Sequence, residues 1–274
     1  MKYTVQSSKY ILKNFLYIFP FAIIPAFCFS LATDKEALRC AMETIFSGRL
    51  KELHFEHLFR AVSVLNFASW KAVVFGLIGI VVIIVCTALL LALLEKHMRF
   101  GKRTFNGVFS KLNDNLVSTC SYAFLLLALY EFWCLITSAL LFSVMQIPVV
   151  PIAYVLGGLV FIGMHIVLIS IIGAVYLWLP CMQITGFKAL EAFHYSYHLM
   201  SPIKGGILIG QLLFLFVAEA LICLCAVFSS SYVVFMALTT AFYAVLMMVF
   251  CVRMQVAYFD RDNIERADLK TYYR

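Results

Sequence analysis

Charge is the scarcest property of this chain. Only 13% of its 274 residues are Asp, Glu, Lys or Arg, about half the share of a soluble domain. Several catalytic signatures are missing as well. Without HExxH there is no pair of histidine ligands and base for a zincin-type protease. Without GxSxG or a P-loop, serine and nucleotide hydrolysis lose their usual machinery. There is no dinucleotide fingerprint and no CxxC. Nine cysteines are scattered along the chain. Of these, Cys86, Cys120, Cys134, Cys223, Cys225 and Cys251 fall in or beside apolar runs, where cysteine acts as a small apolar residue. Cys40 has no obvious partner, so a disulfide framework is not expected. No basic groove carries interleaved stacking aromatics, which argues against a nucleic-acid partner.

What is present is apolar length: 64% of the residues are hydrophobic. They form six blocks, 15–32, 72–94, 116–145, 148–180, 205–228 and 231–252. Each can cross a hydrocarbon core of ~30 Å, which needs about 20 helical residues. The runs are continuous rather than alternating, so helices are implied and not barrel strands. Blocks 116–145 and 148–180 are longer than needed and should tilt, kink or project. The expected fold is all-α: six transmembrane helices built as three hairpins with short amphipathic interfacial helices. One polytopic domain covers 1–274, with an extracytoplasmic insert at 34–71 and a cytoplasmic tail at 253–274.

The first block has some features of a signal peptide. Lys2, Lys9 and Lys13 precede it, and Ser30-Leu31-Ala32 is a small-residue stretch of cleavable type. The long basic region, with Pro20 and Pro25 inside the block, favours a kinked, retained span. Orientation follows from the basic residues. With the N-terminus inside, the inner segments hold 15 Lys and Arg, Arg274 among them, and the outer side holds six, all within 34–71. The plasma membrane with both termini cytoplasmic is therefore expected. The net charge of +7 implies affinity for anionic lipid headgroups. Lys96, Arg99, Lys102, Arg103 and Arg253 are the candidate headgroup residues.

A short amphipathic stretch precedes three of the spans. The first is Met1–Lys13. The second places Phe105, Val108, Phe109 and Leu112 on one helical face, and the third does the same with Phe187, Leu190, His194 and Tyr197. Helices of this kind lie in the interface plane. Within 34–71, Thr33-Asp34-Lys35-Glu36 fits a capping box, and Gly48 offers a stop. Ala37, Leu38, Ala41, Met42, Ile45 and Phe46 form one stripe, and Phe55, Leu58, Phe59, Val62 and Leu65 a second. Two amphipathic helices are expected there, resting on the outer leaflet or capping the bundle. Trp70 is placed as an interfacial anchor.

The most informative residues are ionisable ones inside the apolar blocks: Glu131, His165 and Glu219. Each lies about 20 Å along its helix from a membrane boundary. Such a side chain costs about 2.5 kcal/mol or more unless it is paired or wetted. A shared site handling protons or cations, with Gln211 as a further member, is one reading. A structural lock in which Glu pairs with His or with Gln211 is another, and two glutamates facing different cavities is a third. His54 and His57, near Glu52 and Glu56, lack a defined third ligand, so a solvated face is expected rather than a metal. Gly206-x-x-x-Gly210 allows close helix approach. No cofactor is implied.

Residues 179–219 carry a loose pattern. Leu179-Pro180-Cys181-Met182 leads into Gly186-Phe187-Lys188-Ala189-Leu190-Glu191-Ala192-Phe193, then Tyr195-Ser196-Tyr197-His198-Leu199 and Pro202. This resembles bacterial six-helix membrane proteins similar to the membrane domain attached to some glycerophosphodiester phosphodiesterases. The closing Tyr258-Phe259-Asp260-Arg261 through Tyr273 resembles uncharacterised Firmicutes proteins of that type. The phosphodiesterase catalytic domain has no counterpart in these residues, so the resemblance brings no catalytic residue. The expected function is carriage, or help in carriage, of an amphipathic or lipid-linked envelope substrate. A membrane-embedded hydrolase or transferase with Glu131 or Glu219 as general base is an alternative, and so is a structural accessory subunit. Expected partners are membrane lipids, especially anionic ones, with a membrane-protein partner or a second copy of the chain also open.

Overall fold

In the computed structural model, residues 2–65 and 70–270 are described. Arg274, Tyr273 and insert residues 66–69 lie outside them. The helices are α1 (Lys2–Lys13), α2 (Phe15–Ala32), α3 (Lys35–Phe46), α4 (Phe55–Val62), α5 (Trp70–Phe100), α6 (Val108–Met145), α7 (Val150–Ala174), α8 (Trp178–Thr185), α9 (Ala189–Met200), α10 (Lys204–Phe228), α11 (Tyr232–Arg261) and α12 (Ala267–Lys270). No strand occurs among the described residues. Six helical stretches are long and apolar enough to cross a membrane, matching the six blocks. This is an all-α multi-pass membrane protein.

The six spans close into a ring. Helices α2 and α5, α6 and α7, and α10 and α11 pack as sequential hairpins. Further contacts join α5 to α6, α7 to α10, and α11 back to α2. The tightest part is the α5–α2–α11 side, where Ile18, Ala22, Leu90, Leu94, Val252 and Val256 are fully enclosed. Small residues permit this approach: a Cβ at Gly79 would lie 3.1 Å from the Phe29 ring. Both ends of the described chain lie on one face. There Lys2 bonds Asp260 at 2.8 Å, Tyr3 donates to Asp260 at 2.6 Å, and α12 packs on α5.

Block 148–180 does break, as its length required. Residues 175–177 interrupt it between α7 and α8. Pro180 has no N–H and its ring crowds the carbonyl of Tyr176, so an unbroken helix is costly here. The Tyr176 hydroxyl instead donates to Phe250 O at 3.0 Å, tying the break to α11. By contrast, Pro20 and Pro25 sit within the continuous α2.

Two local expectations change. The Phe105–Leu112 stretch is not a separate interfacial helix. Gly107 adopts φ 73° and α6 starts at Val108, running unbroken to Met145. Lys111, Asn113 and Asp114 therefore extend the span beyond its apolar part. Phe105 stays outside the helix, so the stripe is split: Val108 is buried and Phe109 exposed. At α3 the cap is Asp34 rather than Thr33, its Oδ1 accepting from Ala37 N at 3.0 Å. The third amphipathic stretch does form, as α9. Phe187 lies just before it; Leu190 and Tyr197 are exposed while Ala192, Ser196, Leu199 and Met200 face the protein.

The insert helices α3 and α4 do more than cap the ring. They pack on each other, α3 reaches α10, and α4 reaches α6. Leu38 packs with Ile222 and Phe235, and Leu58 with Met145 and Ala153. Salt bridges hold the insert's shape, with Arg60 2.6 Å from Asp34. Lys35 Nζ donates to Ser229 O at 2.7 Å, fastening α3 to the end of α10. The chain leaving α4 dips below Trp70. The Val64 carbonyl lies 3.2 Å from a Cβ position at Gly76, about 9 Å inward along α5.

Candidate functional site

His165 sits on α7, fully enclosed. Its Nε2 lies 3.1 Å from Glu219 Oε1 and 3.0 Å from Oε2. The other ring nitrogen, Nδ1, lies 2.8 Å from Phe161 O. A carbonyl only accepts, so Nδ1 must carry a proton. The Nε2–carboxyl contact then needs one more proton. Either imidazolium faces carboxylate, or neutral imidazole accepts from a carboxylic acid. The pair is thus a one-proton device, neutral overall in both arrangements. With that proton removed, a lone pair and a carboxylate would face each other at about 3 Å.

Three aromatic rings box the imidazole. Trp133 is edge-on with centroids 4.9 Å apart, Phe161 is at 4.2 Å, and Phe216 is at 5.0 Å. Trp133 Nε1 donates to Met164 O at 2.7 Å, locking that ring. The glutamate is less enclosed: its side chain keeps 30% exposure, although Oε2 itself is sealed. Phe59 and Val62 of α4 pack on the cluster formed by Trp133, Cys134 and Leu168. The insert therefore rests on one wall of the histidine box.

Glu131 does not join this pair. Its Oε2 accepts from Ser63 Oγ at 2.7 Å, and Oε1 accepts from Val64 N at 2.9 Å and Leu65 N at 3.1 Å. From the adjacent position Tyr130 OH donates to Val62 O at 2.7 Å, and one turn on Cys134 Sγ lies 3.5 Å from the same oxygen. Irregular backbone at membrane depth is tolerated only when protein satisfies it. This face of α6 supplies those partners to residues 62–65. Leu65, expected on the α4 stripe, lies past the helix end and donates its amide here.

Gln211 is also placed elsewhere. It accepts from Arg253 Nη1 at 2.9 Å, about 12 Å along α10 from Glu219. Of the anticipated site residues, His165 and Glu219 bond to each other, while Glu131 and Gln211 are bonded to other partners. Arg253 departs from the basic ring in the same way: it is 1% exposed, inside the bundle. Lys96, Arg99, Lys102 and Arg103 do gather at the face carrying the termini. There Lys96 reaches Asn106 O, Arg99 lies 3.2 Å from Glu95, and Arg103 Nη2 lies 3.3 Å from Lys13 O. His54 and His57 have ring centroids 5.9 Å apart, and no group of three metal-type ligands occurs among the described residues.

Sequence reading missed several polar contacts. Glu95 is buried and bonded to Lys111 at 2.7 Å. Tyr10 OH meets His97 Nδ1. These sit at span ends, where hydropathy changes anyway, so the sequence holds no separate signal for them. No family model matches the chain, and no curated protein or solved structure matches it either.

Proposed function

We propose that this protein carries, or helps carry, an amphipathic or lipid-linked envelope substrate across the plasma membrane of a bacterium. Both termini are cytoplasmic in this reading, following the basic-residue distribution. The observation that carries the proposal is the one-proton pair His165–Glu219 beneath an insert that seats on its aromatic wall. Glu131 is saturated by three donors from the insert, so the ionisable step falls to the pair.

The proposed cycle couples that proton to the insert. With the proton present, His165 holds Glu219 and the Trp133 wall stays in place. Proton loss turns the contact repulsive. The pair separates, Trp133 shifts, and Phe59 and Val62 lose their seat. The insert then lifts from the ring between α6 and α10. For an amphipathic substrate the α7–α10 side of the ring would part as the insert lifts, so that the polar group passes between helices while its chains stay in lipid. The resemblance of 179–219 to the membrane domain attached to some glycerophosphodiester phosphodiesterases is in keeping with such a substrate. The exposed apolar stripe of α9 is suited to lie in the interface, and the Lys96–Arg103 cluster would favour anionic lipids.

The test is transbilayer movement in proteoliposomes. The probes are fluorescent phosphatidylglycerol and a fluorescent lysophospholipid, with and without a pH gradient. Wild type should move at least one probe faster than protein-free vesicles, with a gradient-dependent rate. Glu219→Gln should remove the gradient dependence while remaining folded. Rates equal to protein-free vesicles under all conditions would count against the carrier reading.

A further inference from the structure

Arg253 poses a separate problem. It is 1% exposed and donates through Nη1 to Gln211. Its Nε and Nη2 have no acceptor. No ion pair to Arg253 is present among the described residues. A guanidinium cannot discard its proton to escape burial, and an uncompensated buried charge is costly. The free edge, Nε with Nη2, is the side-on fork that matches two oxygens of one oxyanion.

The opening nearest this guanidinium lies between α1 and the start of α10, on its Nη1 side. An open cavity of about 270 Å³ is lined by Lys2, Tyr3, Thr4, Pro202, Ile203 and Gly206. One turn further along α10, a Cβ at Gly210 would lie 2.9 Å from Thr4 Oγ1 and 3.6 Å from Arg253 Nη1. Thr4 is therefore the partition between cavity and guanidinium. Gly206 and Gly210 leave a side-chain-free track on α10 beside it.

We propose that Arg253 is a binding site for a phosphate or phosphodiester group, reached from the cavity between α1 and α10 when the Thr4 turn of α1 shifts. Gln211 would keep Nη1 while Nε and Nη2 take the bound group, with Thr4 on the path to it and Lys2 at the rim. The phosphate could arrive on a lipid headgroup or as the free ion, and the two sources are separable. This inference does not depend on the carrier reading, because it concerns a different position in the bundle.

The experiment uses the full-length protein, delipidated in neutral detergent, and reads the thermal unfolding midpoint. The probes are inorganic phosphate and short-chain phosphatidylglycerol, each against chloride at equal ionic strength. Stabilisation of at least about 2 °C by either probe is expected. A shift with phosphatidylglycerol alone assigns a lipid source; a shift with phosphate as well assigns the ion itself. Arg253→Met should abolish the shift and, in the absence of probe, should raise the midpoint by removing an unpaired charge. Gly206→Leu keeps the arginine but fills the cavity, and should also lose the shift. No shift with either probe, an undiminished shift in Arg253→Met, or an undiminished shift in Gly206→Leu would overturn the proposal.

Discussion

Glu131 on α6 accepts the amide of Val64 at 2.9 Å. A carboxylate inside an apolar span thereby holds the end of a distant insert. The same carboxylate takes the Leu65 amide and the Ser63 hydroxyl, so three donors converge on it; the Leu65 amide also reaches Ser63 Oγ at 3.1 Å and Ser63 Oγ the Leu65 carbonyl at 3.2 Å.

Replacing Glu131 by Ala should therefore destabilise the protein strongly. Each donor left buried without a partner costs about 1–3 kcal/mol. Glu131→Gln keeps one acceptor oxygen and should cost less. Thermal unfolding in detergent would show the order wild type, Gln, Ala. Limited proteolysis should cut the insert fastest in Glu131→Ala. Equal midpoints for all three proteins would remove Glu131 from its role in seating the insert.

His165 and Glu219 make a different prediction, because they share one proton instead of receiving backbone amides. Trp133 is the natural reporter, being 4.9 Å from the imidazole. In a Trp70→Phe, Trp178→Phe background its emission should change with pH in a single step as the pair gains or loses its shared proton. Glu219→Gln can still donate to a neutral imidazole, so the contact and the fold should persist while the step weakens or moves. Glu219→Ala should leave Nε2 unpaired and lower the unfolding midpoint. A pH-independent Trp133 signal in the wild type would show that the pair does not titrate.

Tyr195 on α9 donates to Asp262 just past α11. That hydrogen bond, with a smaller contribution from burial, pushes the Tyr195 phenol up to about 12. A group whose pKa is raised on folding adds stability that is complete below its unfolded value, about 10 for tyrosine. That stability is lost as pH rises through about 12. The wild-type unfolding midpoint should accordingly fall between pH 10 and 12. In Tyr195→Phe the midpoint should be lower at neutral pH and the alkaline fall shallower. An unchanged alkaline profile in Tyr195→Phe would assign the fall to other groups.

Topology can be tested at exposed positions. Ser47 lies at the end of α3, while Asn113 and Ser201 lie on the opposite face, and all three are exposed. In a Cys40→Ser background, an impermeant thiol reagent added outside intact cells should label Ser47→Cys and spare Asn113→Cys and Ser201→Cys. The reverse pattern would place the termini outside.

The sequence alone determined the number, length and order of the spans, because a hydrocarbon core demands runs of apolar residues that leave no other reading. The insert helices and α9 were legible for a related reason: their stripes recur at helical spacing. His165 and Glu219 stood out because ionisable groups in such runs are expensive. Their pairing did not, since it depends on how α7 and α10 rotate against each other, and ring packing decides that rotation. The orientation of α6 likewise turned Glu131 toward residues 63–65, and that of α10 against α11 drew Gln211 to Arg253 rather than to His165. Arg253 looked like one more basic residue at a span's end because hydropathy counts charges along the chain. Only tertiary structure shows that α11 continues as a buried helix to Phe259, wrapped by α1, α2, α5 and α10, so that a residue placed by sequence at the membrane surface lies inside the protein.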